Sequence, residues 1–453
     1  MSRPNALVRV LARLTASTFY RVDCVGQPPR TGAVLLLPNH PNALLDPALV
    51  WACAGRDVRF LAKSTLFAGP LRPLLAGAGA IPVYRRVDPG TDPARNSEAF
   101  AAVAAALADG DAICLFPEGI SHSSGRLETL RTGAARMALA AEQHGTSVAI
   151  VPVGLNFNRK TAFRSRVTVA FGRPFSARDL PPAGGDDDAR AVRALTDRIA
   201  EHMRRLLIEA DPDADAALLD RVDRLYSAAR GRAAEPADRL ARRQTIAAGI
   251  ERLRGAAPDK YDDLLLRLRR YDNRLRRFGL RDRHLDWQVS SRDAAIFAAR
   301  ELAFAVVLLP LCAAGLIVFF VPYHLTGWAA RLSTRERDQL ATAQVIAGTV
   351  IYGLWLAGLC AAAWRLGGRT AGLAMLILLP VLALASLVAL EREAAVLDTV
   401  RSWLLLRRPG PDTRERLRRR RSELADVLDQ VHQWLQAEGR QASSANSVRE
   451  AGS

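Results

Sequence analysis

Lysine is nearly absent from this chain: of 63 basic residues, only Lys63, Lys160 and Lys260 are not arginine. Such usage hints at a GC-rich bacterial genome. Cysteine is also scarce. Cys24, Cys53, Cys114, Cys312 and Cys360 are widely spaced and form no CxxC, so neither a zinc-finger spacing nor a dithiol redox motif is present. Free thiols in a reducing compartment, without a disulfide framework, are therefore expected. No G-x-S-x-G occurs, which counts against a serine hydrolase. No RNA-binding motif or ladder of aromatic and basic residues occurs either, so nucleic acid is not an expected partner. The N-terminus has neither a continuous apolar core nor a small-residue cleavage site, so no secretory signal is expected.

What is present is 453 residues, enough for two or three units, and a formal charge of +17. That charge suits an anionic partner, and an anionic membrane face fits best. Leu7, Leu11 and Leu14 at helical spacing, with Arg9 and Arg13 between them, predict an amphipathic helix over 1–20 that either lies on a membrane or packs on the next domain. Short apolar runs at 33–37, 59–62, 80–84, 112–116, 148–154 and 167–171 alternate with helical stretches at 97–108 and 133–144. Buried strands alternating with helices predict an α/β domain over 21–188, a mixed sheet flanked by helices. It closes on a loop, PPAGGDDD, at 181–188.

From 189 to 298 the chain is charged and helical. Tyr261, Leu264, Leu265, Leu268, Tyr271, Leu275 and Phe278 form one apolar stripe there, which suits either packing on the protein or a membrane surface. Region 299–392 holds three nearly uncharged stretches, at 302–321, 345–364 and 371–390, each long enough to span a bilayer of about 30 Å. The short loop at 365–369 makes the last two a hairpin, giving two or three crossings. The tail, 393–453, is basic, with a run Arg418–Arg421, and ends in a segment of disordered character at 441–453. The positive-inside rule puts this tail in the cytoplasm. The expectation is an integral protein of a bacterial inner membrane, its catalytic domain facing the cytoplasm.

Four segments carry chemistry. In LPNHPNALLDP, a buried run ends and His40 follows, with Asp46 six residues on. An imidazole beside a carboxylate can act as a general base; the alternative is a structural histidine with Asp46 capping a helix. In FLAKSTLFAGPLRPLLAGAGAIPVYRR, Lys63, Gly79, Arg85 and Arg86 set cations near strand ends, which suits a phosphate or, equally, solvated arginines. In ICLFPEGISHSSGRLETLRTG, Glu118 and Gly119 turn the chain before a helix beginning near Thr132, though Glu118 could be a plain turn residue. In VAIVPVGLNF, Pro152 suits an edge or exit position of a buried strand.

In this order and spacing, the four segments over roughly residues 20–180 resemble the motif set of the glycerolipid acyltransferases, which include the lysophosphatidate and glycerol-3-phosphate acyltransferases. The resemblance implies that His40 is the base and Asp46 its orienting acid. It implies an acceptor site from Gly79, Arg85, Glu118 and Gly119, with Pro152 marking the fourth block. Lys63 and Ser121 join that site as expected contacts. Five residues separate His40 from Asp46 where the family usually has four, which is similar to the fungal-type glycerol-3-phosphate/dihydroxyacetone-phosphate subgroup with its C-terminal membrane region. Ile120-Ser121-His122 stands where Thr-Arg-Ser is usual, so the phosphate-holding arginine of that block is missing; Arg126, Arg131 or Lys63 could replace it.

The implied activity is transfer of a fatty acyl chain from acyl-CoA or acyl carrier protein to a glycerol-phosphate-type acceptor in phospholipid biosynthesis, with membrane lipid as partner. No metal or cofactor is expected, because a thioester is already activated. A lysophospholipid is the alternative acceptor. A non-catalytic basic membrane-binding protein is the alternative of another class.

Overall fold

The computed structural model describes residues 5–43, 45–68, 72–84, 96–122, 124–179, 188–210, 215–231, 235–278, 280–286, 291–333, 340–406 and 411–450. The loop expected at 181–188 lies outside these residues except for Asp188, which opens a helix. The chain divides into two compact units: Met1–Asp220 with Ala233–Ala248 and Glu336–Thr342, and Arg221–Arg232 with Gly249–Arg335 and Ala343–Ser453.

The first unit is built on a seven-stranded mixed sheet: β1 (Tyr20–Val25), β2 (Val34–Pro38), β3 (Val58–Lys63), β4 (Ile81–Val83), β5 (Ala112–Cys114), β6 (Ala149–Phe157) and β7 (Ser165–Phe171), ordered β1-β7-β6-β2-β5-β3-β4. Every neighbouring pair is parallel except β6–β7. Central β2, VLLLP, is buried at all five positions, as a strand covered on both faces must be. Its odd-numbered side chains, Leu35 and Leu37, join Ile113 and Ile150 in a core with α4 (Asn96–Ala108), α5 (Gly133–Gln143) and α6 (Asp188–Arg204). On the other face, α2 (Leu45–Cys53) sets Trp51 against Phe60 of β3, ring centroids 5.6 Å apart. The N-terminal helix α1 (Ala6–Phe19), capped by Asn5, packs on α2 and leaves Leu7, Leu11 and Leu14 exposed. A one-turn-and-a-half helix, α3 (Arg72–Gly77), precedes β4.

Strand β1 carries no sequence signal, because Arg21 and Asp23 interrupt it and it lies at the sheet edge. Pro152 corrects an expectation. It sits in β6, third from one side of the sheet and not at an edge. Its missing N–H falls in the gap between the last β6–β7 pair, Val153–Phe171, and the bridge Ile150–Phe175, where only its carbonyl is used, accepting from the Gly172 N–H at 2.9 Å. A second correction concerns cysteine. Cys24 of β1 and Cys53 at the end of α2 are joined as a disulfide, their Cα atoms 5.7 Å apart. The fold brings together two residues 29 apart in sequence, which spacing alone could not reveal. Among the described residues Cys114, Cys312 and Cys360 form no disulfide.

Gly154 of β6 marks a close approach. A Cβ there would lie 2.5 Å from the Leu206 carbonyl oxygen, in the segment that Asn156 holds through hydrogen bonds to the Leu206 carbonyl (2.9 Å) and the Ile208 N–H (2.8 Å). Gly154→Ala should lower unfolding stability by about 1–3 kcal/mol. A reduced urea midpoint with unchanged slope would register it, and an unchanged midpoint would contradict it.

The second unit is helical. Helix α7 (Ala216–Arg230) enters it at Arg221, and α8 (Pro236–Ala256) at Gly249. In α9 (Pro258–Arg277), Leu264, Leu268, Tyr271 and Leu275 are buried, with α13 (Pro411–Glu450) packed against the helix. Of the two readings of the stripe, packing on the protein is the one that forms. Arg221 pairs with Asp272 and Asp282, and Arg421 with Asp286, around the Tyr271 hydroxyl, which donates to Asp282 at 2.8 Å. Asp282 opens the short α10 (Asp282–Leu285). Helix α13 runs on to Glu450, across residues expected to be disordered; no proline or glycine interrupts 440–450, so an established helix propagates.

The apolar stretches lie in α11 (Ser291–Ser333) and α12 (Leu340–Leu406). Among the described residues two helices, Pro310–Ser333 and Ile346–Ser386, are long and apolar enough to cross a membrane. The second breaks at Gly368 (φ 73°, ψ −170°). The Trp355 indole N–H donates to the Val318 carbonyl at 2.9 Å, while Gly315 faces Leu382 and Ser386. Positions 355 and 382 therefore meet the same stretch of α11, so the chain turns back about Gly368. Ile317, Leu354, Leu366 and Ile377 are 70–90% exposed, as lipid-facing side chains would be.

Candidate active site

The ends of β2 and β5 define the site. Leu36 lies beside Cys114 in the ladder, and four residues further along each chain stand His40 and Glu118. Connections leave β2 for β3 on one side, whereas β5 leads across β2 to β6 on the other. Side chains at such a change of direction, beyond the carboxyl ends of parallel strands, face an open crevice.

The loop after β2 is held from both sides. Asn39, buried, accepts from the Leu155 N–H (2.7 Å) and donates to its carbonyl (3.2 Å). The His40 N–H donates to Glu118 Oε2 at 2.7 Å, and the His40 carbonyl accepts from the His122 N–H at 3.1 Å. The His40 ring stacks on Phe116, centroids 3.9 Å apart. Ala43 adopts φ 43°, a left-handed turn that brings α2 round so that Asp46 in its first turn points back into the loop.

His40 Nδ1 lies 2.9 Å from Asp46 Oδ2. That contact assigns the N–H to Nδ1 and leaves the Nε2 lone pair outward; Nε2 has no partner among the described residues. The His40 side chain is 19% exposed and that of Asp46 is sealed, so the pair has one wet end. Oδ2 also accepts the Asn42 N–H at 2.7 Å, while Oδ1 finds no donor among the described residues. Burial pushes the Asp46 carboxyl above its ordinary value; the hydrogen bond and charge of His40, the Asn42 N–H and the charge of Lys160 oppose that rise.

Glu118 is 2% exposed, and its oxygens are spent on the chain itself. Oε2 takes the His40 N–H and lies 2.9 Å from His122 Nε2, while Oε1 accepts the Glu128 N–H at 3.2 Å. Burial works against a charged His122 ring, but the hydrogen bond and charge of Glu118 outweigh it and raise His122 above the ordinary histidine value. Ser121 Oγ accepts the Ala43 N–H at 3.0 Å, bracing the same loop. Gly119 turns at φ 75°, and a Cβ there would press on Arg131 Cγ at 3.3 Å.

The structure thus brings His40, Asp46, Glu118, Gly119 and Ser121 together. Lys63 ends β3 at the same edge of the sheet. Gly79 lies toward the other end of the strands. The pairing of Leu61 with Ile81 puts it level with Arg59, near the start of β3 and about 15 Å along the strands from the level of His40. Its φ of 63° makes it the turn between α3 and β4. Arg85 lies outside the described residues, although Tyr84, just before it, is level with His40 and clamped by Asn96 through its N–H at 2.9 Å. Sequence reasoning missed Asn42, Tyr20 and Lys160. The Asn42 side chain donates to the Tyr20 hydroxyl at 2.7 Å, that hydroxyl donates to the Lys160 carbonyl, and Lys160 Nζ donates to the Pro41 carbonyl at 2.7 Å. Asn42 lay within the quoted motif, but the other two come from distant segments without a local signal.

A sealed carboxylate and an imidazole with one open nitrogen, set beyond the carboxyl ends of parallel strands, are the parts that general-base chemistry requires. Residues 21–156 match the family model described as Acyltransferase, and the match contains this whole base loop together with Glu118. The chain is 31% identical over 128 residues to glycerol-3-phosphate O-acyltransferase 1 of Saccharomyces cerevisiae, covering 26% of this chain and 16% of that protein. It is 37% identical over 81 residues to glycerol-3-phosphate O-acyltransferase 2 of the same yeast, 17% and 11% of the two chains. An uncharacterised acyltransferase of Schizosaccharomyces pombe is 26% identical over 257 residues, 55% and 37% of the two chains. The matches thus span little more than a third of these relatives' own length at most. Among solved structures, a 1-acyl-sn-glycerophosphate acyltransferase from Thermotoga maritima aligns with TM-score 0.32 and 16% identity, over 44% of this chain and 78% of that one.

Proposed function

We propose that this protein is a membrane-associated O-acyltransferase that moves a fatty acyl chain from acyl-CoA or acyl carrier protein to a hydroxyl of a glycerol-3-phosphate-type acceptor. The observation that carries the reading is the His40–Asp46 contact with Nε2 left open beyond β2. Nε2 takes the proton of the acceptor hydroxyl as its oxygen attacks the thioester carbonyl. The tetrahedral intermediate collapses, the C–S bond breaks, and the leaving thiolate takes the proton back from the imidazolium. Asp46 keeps the ring in the right tautomer and stabilises its transient charge. Glu118 and Ser121 support the base loop from within. Arg85 and Lys63 are the proposed contacts of the acceptor phosphate. The apolar helices of the second unit hold the enzyme where lipid product and acyl chain reside.

A lysophospholipid acceptor is favoured by one observation: position 121 is a serine turned toward the base loop, and not a phosphate-binding arginine. Labelled acyl-CoA offered with glycerol 3-phosphate, lysophosphatidate or glycerol separates the readings. Acylation of glycerol 3-phosphate above the other two supports the first reading; preference for lysophosphatidate transfers the assignment to the second; no acylation of any acceptor removes both. Arg85→Ala should raise the KM for the phosphorylated acceptor about tenfold or more with kcat little changed, the loss expected of one charge-assisted contact. An unchanged KM takes Arg85 out of the site.

A further inference from the structure

A carboxylate as deeply sealed as Asp46 has an inherent weakness. Its side chain is 0% exposed, and Oδ1 has no donor among the described residues. Removal from water favours the protonated form, and a neutral Asp46 would no longer stabilise charge on the His40 ring. Something must hold it ionised during turnover.

The ionisable groups facing the pair come from every element around it. They are Tyr20 of β1, Cys114 of β5, Glu118 and His122 of the loop after β5, and Lys160 of the β6–β7 turn. Tyr20 and Cys114 are both driven by burial toward their neutral forms, and Glu118 is an acid. His122 is occupied with Glu118, and Glu128 also acts on it. After the hydrogen bond and charge of His40 and the Asn42 N–H, the charge of Lys160 also opposes the rise of Asp46.

Lys160 is also tied into the base loop at two points. Its Nζ donates to the Pro41 carbonyl at 2.7 Å, one residue after His40. Its own carbonyl accepts from the Tyr20 hydroxyl, which in turn accepts from the Asn42 side chain at 2.7 Å, and the Asn42 N–H donates to Asp46. The circuit runs from the β6–β7 turn through β1 and back to the carboxylate. A displacement of Lys160 is therefore felt at Asp46 through both charge and geometry.

We propose that Lys160 is a positioning residue of the base pair, its ammonium pinning the Pro41 carbonyl and its charge balancing the sealed Asp46 carboxylate. This rests on the reading of His40 as the general base. The role differs from that of an acceptor contact, because Lys160 acts through Asp46 and changes kcat and its pH dependence more than KM.

The test compares full-length wild type with Lys160→Met, Lys160→Gln, Lys160→Arg and His40→Ala in detergent, using acyl-CoA and glycerol 3-phosphate as probes across pH 5–9. A thermal melt of each variant checks folding. Without the ammonium, Asp46 holds its proton to higher pH, so the acid limb of kcat should move upward by roughly half a pH unit or more. The kcat at the optimum should fall about tenfold with little change in KM. Lys160→Arg should return the limb toward wild type. If a folded neutral variant keeps the wild-type limb while His40→Ala is inactive, Lys160 is a plain structural tie and the proposal is overturned. If His40→Ala keeps its activity, the base reading itself fails, and that outcome is distinguishable from the first. Should both neutral variants unfold, Tyr20→Phe decides. It frees the Lys160 carbonyl but keeps the charge, so kcat should fall with the limb in place; a limb displaced by as much as half a unit would overturn the electrostatic role.

Discussion

His40→Ala is expected to lower acyl transfer by about 10³-fold or more while leaving the protein folded and membrane-associated. The ring keeps Nε2 clear of the Asp46 contact, and its removal takes away both proton acceptance from the alcohol and proton return to the thiolate. General-base assistance alone is usually worth ~10²–10⁴-fold. Folding should change little, because the ring is partly exposed and its packing partner is one face of Phe116. Asp46→Asn completes the experiment. It should cost a comparable factor, since a neutral amide whose oxygen stays on the Asn42 N–H no longer stabilises the charge that develops on the ring. Its effect on stability should run the other way. The carboxylate is sealed with one oxygen undonated, so a neutral isostere that still accepts the Asn42 N–H should leave the melting temperature unchanged or raise it. A structural histidine with a capping aspartate would give the reverse pattern: activity kept, stability lost.

Glu118→Ala is expected to be the next most damaging change, near 10²-fold in kcat, with a loss of stability as well. Three groups depend on this carboxylate: the His40 N–H, the Glu128 N–H and the His122 ring. Each buried donor left without an acceptor costs about 1–3 kcal/mol. The activity loss follows because the His40 backbone is then free to shift, and small misplacements of a base are costly. The pair also has a pH signature. His122 is raised above the ordinary histidine value in the folded protein, so its contribution to stability is full below about pH 6.5 and is lost as pH rises through the raised value. Wild type should thus lose part of its stability on passing into alkaline solution. Glu118→Gln should flatten that slope, because the charge that raises His122 is gone. Parallel melts from pH 5 to 9 measure both. An identical slope in the two proteins would remove the pair from the account.

How far the sequence could be read follows from where the information lies. β2 and β6 were evident because a strand buried on both faces is an unbroken apolar run. His40 and Asp46 were evident because both lie in one short segment, and the helix that separates them from β3 starts at Leu45. β1 was not evident, since an edge strand facing Arg166 and Arg239 can carry Asp23. The disulfide, Tyr20 and Lys160 were hidden for a common reason. Their partners lie 29, 22 and 119 residues away, and only the closed sheet joins them. For Gly79 and Glu118 the structure adds the local role that a motif does not specify. Here Gly79 provides a turn at the far end of its strand, and Glu118 spends its oxygens within the chain.

The central claim is that His40 activates an acceptor alcohol and not water. The direct measurement is thiol release from acyl-CoA by the full-length protein, followed together with ester formation, with and without glycerol 3-phosphate. The account predicts release only when the acceptor is present, one thiol for each ester formed, and neither in His40→Ala. Thiol release at the same rate without acceptor would mean that water is the nucleophile, and undiminished ester formation in His40→Ala would mean that the base lies elsewhere.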